Sequence, residues 1–98
     1  HLATMRRMSL SVAGMLQAGK TPAAEASIVK DLGTNFEQAL PNKVRLMAPV
    51  RGDSAPDSND DRFGQALNYT TLIAPKLTIQ GGTTEILRGI IARGLGLR

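Results

Sequence analysis

The sequence predicts an all-α chain arranged as an antiparallel helical bundle, and three observations carry that prediction. Apolar residues recur every three and four positions through most of the 98 residues, the spacing of one helix face rather than the alternation of a strand. Two Phe, one Tyr and no Trp leave a core of Leu, Ile, Val, Met and Ala, a choice that suits helix packing better than a β-sandwich. The composition, 42% hydrophobic and 20% charged, is that of a globular chain and far from the disordered class, so the helices should pack together.

The length fits one domain or part of one. With no cysteine and a single histidine, His1, a disulfide framework, a nucleophilic thiol and a thiolate metal site are excluded, and an imidazole-built site is disfavoured. The net charge of +4 is spread along the chain. Arg6-Arg7 is the only adjacent basic pair, and no aromatic residues interleave with the basic ones, so no nucleic acid partner is expected. No stretch approaches the roughly 20 apolar residues of a membrane span. The N-terminus lacks the layout of a signal peptide, which makes a cytoplasmic location the expectation.

In the first segment Leu2, Met5, Met8, Val12, Met15 and Leu16 line one side of a helix ending at Ala18-Gly19, where glycine supplies a left-handed stop and Lys20 a favourable cation. No capping residue precedes Leu2, so this helix reads as the remainder of a longer one. Thr21-Pro22 predicts the next start, a hydroxyl cap followed by proline at the first helical position, with Glu25 in the first turn. Ile28, Leu32, Phe36 and Leu40 then recur every four residues, with Val29 widening the stripe. Lys30, Asp31, Asn35, Glu37 and Gln38 are expected mostly to face water. Pro41 predicts a kink or a restart before Val44.

Residues 49–61 hold two prolines, a glycine, two serines and four aspartates, the composition of a mobile loop. A third helix is expected from Asn59 or Asp60 through Phe63, Ala66, Leu67, Thr70 and Ile73 to Pro75, with Leu77 and Ile79 extending the apolar trace. Gly81-Gly82 breaks it. Thr83 to Arg93 restarts as a short helix with Ile86, Leu87, Ile90 and Ile91 on one face, ended by Gly94 and Gly96.

The stretch from Gln80 to Arg93 carries the most chemistry. Two glycines allow a ligand close to the backbone, Thr83 and Thr84 offer hydroxyls, and the helix that follows presents unsatisfied N–H groups. Those features describe either a cradle for an anion or nucleotide, or simply a turn with a threonine helix cap. The run Gly-Gly-Thr-Thr-Glu-Ile-Leu-Arg-Gly-Ile-Ile-Ala-Arg, followed by Gly94-Leu95-Gly96-Leu97, resembles the C-terminal signature of acyl-CoA dehydrogenases. His1-Leu2-Ala3-Thr4-Met5 and Ala24-Glu25-Ala26-Ser27-Ile28-Val29-Lys30 resemble earlier helices of the same C-terminal domain, in the same order.

The resemblance covers essentially the whole chain and implies the later helices of a C-terminal four-helix bundle. It also implies a flavoenzyme: FAD accepts hydride from an acyl-CoA thioester while a carboxylate takes the α-proton, and the electrons pass to an acceptor. Oligomerisation through the bundle, with identical or different subunits, is implied as well. Carried over by position, Gly82, Thr83, Thr84 and Glu85 contact the flavin dinucleotide and Arg93 contacts acyl-CoA, while Arg88 reads as an exposed helix charge. Many members carry their catalytic glutamate where this chain has Gly81, which cannot accept a proton, so no catalytic residue is assigned to this chain. The segment Ala48-Pro49-Val50-Arg51-Gly52 departs from a glycine-rich turn that touches flavin in relatives. The alternative from another class is a non-catalytic oligomerisation module or a degenerate partner subunit.

Overall fold

A computed structural model describes residues 1–48 and 59–97. It is all-α, with four helices among the described residues: α1 (Leu2–Gln17), α2 (Ala23–Met47), α3 (Asn59–Ile73) and α4 (Thr84–Gly94). A 3-10 turn, Ala74–Thr78, follows α3 directly.

The ends of α1 and α4 follow from their glycines. Gly19, at φ 72°, donates its N–H to Leu16 while Lys20 donates to Met15, and Gly96, at φ 76°, repeats the pair with Arg93 and Ala92. Both are the two-bond glycine closure that satisfies orphan helix carbonyls.

The start of α2 differs from the sequence expectation. Pro22 occupies the cap with φ −78° and ψ 59°, and the Ala23 N–H donates to the Thr21 carbonyl at 2.8 Å, so no hydroxyl caps the helix. These angles and this bond form an inverse γ-turn, which takes Pro22 out of the helical region and delays the helix by one residue.

Pro41 does not restart α2 either; the helix runs unbroken to Met47 with Pro41 buried inside it. Leu67 and Thr70 face Pro41 on one flank and Thr71 and Ala74 on the other, so packing on both sides compensates for the missing N–H. The expected loop over 49–61 is shortened at its end, because Asn59 already opens α3; residues 49–58 lie outside the described residues. α3 ends at Ile73, and the tighter turn begins beside Pro75.

α2 is the centre of the molecule. Met5, Met8, Val12 and Met15 of α1 are half-buried, and they face Ile28, Val29, Leu32 and Phe36 of α2. The expected stripe is therefore used, although Leu2 and Leu16 at its ends remain exposed. The more buried seam of α2 is polar: Ser27, Thr34 and Pro41, seven residues apart, are buried. Lys30, Asp31 and Gln38 beside them are half-buried, contrary to the expectation that they face water.

That seam meets α4, the 3-10 turn and α3 in succession. A methyl at Gly94 would meet Ala24. Arg88 faces Asp31, Lys30 reaches the Leu77 carbonyl, Gln38 donates to Ala74, and Arg45 donates to Asn68 and Thr71. Lys30, Asp31, Gln38 and Arg45 thus find partners across the interface, while buried Ser27 donates to the Ala23 carbonyl and buried Thr34 accepts from Lys30 within α2, as buried polar groups require.

The chain is elongated, 55 × 27 × 19 Å with a radius of gyration of 17.6 Å, against about 13 Å for a compact domain of this size. Its dry core is accordingly small. Leu67, Ala74 and Leu87 are the buried hydrophobic residues among those described.

Candidate functional site

Local backbone chemistry builds the site at the start of α4. Gly81 and Gly82 have φ of 78° and 114°, a conformation that costs other residues roughly 1–2 kcal/mol each. Thr83 is the helix cap at φ −70° and ψ 161°, and its hydroxyl oxygen accepts the Ile86 N–H at 3.4 Å. Thr84 opens the helix half-buried, and Glu85 is exposed in the first turn. Gly82, Thr83, Thr84 and Glu85 are thus brought together around one helix start.

The electrostatics at this start are already partly satisfied. The backbone N–H of Glu85 and then the Thr83 hydroxyl favour the ionised Glu85 carboxylate, and Arg88 adds attraction. Together these hold its carboxyl below the ordinary glutamate value, against a smaller opposing effect of desolvation. A carboxylate so placed competes with any anion for the helix N-terminus. It leaves an acceptor facing solvent, beside hydroxyls and glycine backbone.

Among the described residues, the side chain of Lys30 is what a Cβ at Gly81 would meet. A Cβ built there would lie 3.7 Å from Cε of Lys30, so a cation, not a carboxylate, borders that position. Glu85 is a poor general base near neutral pH, because its carboxyl is held below the ordinary value. Among the described residues no group of three His, Cys, Asp or Glu side chains could hold a metal ion.

Arg93 is not brought to this cluster. It sits in the last turn of α4, exposed, with its Nε donating to the Gly89 carbonyl at 3.4 Å, ten residues and about 15 Å of helix rise from Thr83. Arg88 is exposed as expected but has a partner: its Nε lies 3.8 Å from Oδ2 of Asp31, whose side chain is 17% exposed.

The residues that sequence reasoning missed are on α2. Lys30 donates from Nζ to the Thr34 hydroxyl at 2.8 Å and to the Leu77 carbonyl at 3.2 Å. The available signal was the seven-residue spacing of Ser27, Thr34 and Pro41, with Lys30, Asp31 and Gln38 beside it. That is a polar stripe at the period of a packing seam.

Compared with known proteins, the chain matches no family model, no curated protein and no solved structure.

Proposed function

We propose that this chain is the C-terminal helical portion of an FAD-dependent acyl-CoA dehydrogenase-like oxidoreductase, contributing part of a flavin site and a subunit interface. The observation that carries the reading is the signature from Gln80 to Arg93 together with the backbone it adopts: two left-handed glycines leading into a threonine-capped helix. An exposed approach next to Thr83, Thr84 and the Glu85 acceptor suits a hydroxyl-rich part of a dinucleotide, since a carboxylate accepts hydrogen bonds from sugar or ribityl hydroxyls. When bound, the flavin supplies the hydride acceptor. The residues of this chain bind and orient it; with glycine at 81, they hold no base for the α-proton, which on this reading comes from elsewhere in the enzyme.

The bundle in this proposal is antiparallel. Going up α2 through Ala24, Asp31, Gln38 and Arg45, the facing residues descend from Gly94 through Arg88 and Ala74 to Asn68. Arg93, exposed at the far end of α4, is assigned to acyl-CoA.

A second reading, a helical oligomerisation module or degenerate partner subunit without chemistry, is favoured by a specific observation. Leu2, Leu10, Leu16, Leu46, Met47 and Leu72 are all at least 60% exposed, apolar side chains that a subunit interface would cover. No helix among the described residues is long and apolar enough to cross a membrane.

Titrating the full chain with FAD, and following quenching of flavin fluorescence, separates the two readings. Saturable binding that Thr83→Ala weakens supports the flavoprotein. Absence of binding, with a sedimentation profile of stable oligomers, supports the module.

A further inference from the structure

Lys30 stands where three elements meet. Its α2 backbone packs at the centre of the molecule. Its Nζ is bound to the hydroxyl of Thr34, a residue only 4% exposed, and to the carbonyl of Leu77 in the 3-10 turn. Its Cε lies 3.7 Å from the position a Gly81 Cβ would take. The Thr34 bond pins the ammonium to its own helix, so the side chain is a fixed strut rather than a swinging one. The carbonyls at the end of a helical turn lack intrahelical donors and favour a cation. The ammonium meets that requirement at Leu77, four residues before the left-handed pair begins.

We infer that Lys30 is the positioning residue of the Gly81–Gly82 turn. By holding the Leu77 carbonyl against Thr34 it sets where the chain leaves the 3-10 turn, and so where the glycines deliver the Thr83 cap. The part played in flavin binding rests on the reading in the preceding section; the part played in holding the turn does not.

The test uses the full chain as parent, Lys30→Met, which keeps the stem and removes the ammonium, and Lys30→Arg, which keeps a cationic donor. Amide exchange is read at Ile79 and Leu87, whose N–H groups bond to the Lys76 and Thr83 carbonyls, and at Lys20 and Leu95, whose bonds close α1 and α4 at their far ends. Lys30→Met should speed exchange at Ile79 and Leu87 about tenfold, the factor set by one charged hydrogen bond of modest strength. Lys20 and Leu95 should stay as in the parent, and Lys30→Arg should retain most of the protection. FAD affinity should fall by a similar factor in Lys30→Met only. Exchange at Ile79 and Leu87 that is unchanged, or that rises no more than at Lys20 and Leu95, overturns the assignment. The local exchange effect with no FAD binding by any of the three proteins upholds the positioning role and retires the flavin reading.

Discussion

Gly94 at the end of α4 lies so close to Ala24 at the start of α2 that a methyl group in its place would sit 2.6 Å from the Ala24 Cβ. The two helices meet there backbone to backbone, and neither partner has a flexible side chain that could give way. Replacing a helical glycine by alanine ordinarily gains up to about 1 kcal/mol from propensity, while forced overpacking costs about 1–3 kcal/mol. The clash should win, so Gly94→Ala is expected to lower the unfolding free energy, and Ala24→Gly in the same chain should recover much of the loss. Gly89→Ala, with nothing within 4 Å of its added methyl, should instead stabilise by roughly 0.5–1 kcal/mol. Urea denaturation of the four proteins checks the signs, and a Gly94→Ala chain as stable as Gly89→Ala would refute the close contact.

The first turn of α4 should respond to acid through Glu85. Its folded carboxyl is held below the ordinary glutamate value by its own backbone N–H, then by the Thr83 hydroxyl and by Arg88. A lowered folded-state value means stability that is present above the unfolded-state pKa, near 4.3 for an ordinary glutamate, and lost as pH falls through the folded value. Glu85→Gln should therefore be the less stable protein at neutral pH, and the difference should shrink to nothing in strong acid. Thermal unfolding of both proteins across that range measures it; a difference that grows toward acid would contradict the bonding described here.

The helices were legible because their signals are local. Apolar periodicity placed α1, α2 and α3, and Gly19, Gly82 and Gly96 placed the breaks. The start of α4 at Thr83 was legible for the same reason, since a cap and its helix are adjacent in sequence. What sequence reading missed depends on contacts between distant positions. Pro41 stays helical because α3 and the 3-10 turn pack around it, and Lys30 and Asp31 turn inward because Leu77 and Arg88 offer partners. Propensity and hydropathy describe a residue's preference in isolation, and a buried partner overrides that preference. The residues following Thr21 failed differently: a Thr-Pro pair is compatible with a hydroxyl cap and with an inverse γ-turn, and only ψ at Pro22 decides between them.

Arg93 provides a test of distance. It is exposed, bonded only weakly to Gly89 within its own helix, and about 15 Å along α4 from Thr83. Under the proposed function Arg93→Ala should weaken acyl-CoA binding by roughly tenfold to a hundredfold, the range for a lost charge-assisted bond, and leave flavin affinity unchanged. Titrations of the flavin-loaded chain with an acyl-CoA thioester read the first effect and FAD titrations the second. An unchanged acyl-CoA dissociation constant would return Arg93 to the status of a solvated helix charge.

Under the proposed function, Gly81→Glu puts a carboxylate where the resemblance places the base of many acyl-CoA dehydrogenases, and here it should not create one. Residue 81 has φ 78°, so any side chain carries a backbone cost of about 1–2 kcal/mol. Its first carbon would stand 3.7 Å from Cε of Lys30, one bond short of the ammonium. An opposite charge within reach of a carboxylate lowers its pKa, whereas a general base working near neutral pH needs it raised. The variant should lose about 1–2 kcal/mol of stability by the same backbone cost and gain no turnover, and the introduced carboxyl should titrate below the ordinary glutamate range by NMR. Adding Lys30→Met should bring that titration back up toward the ordinary range while leaving the backbone cost in place. A gain of turnover in Gly81→Glu alone, or a titration that Lys30→Met does not move, would show that the lysine and the position at 81 do not face each other as described.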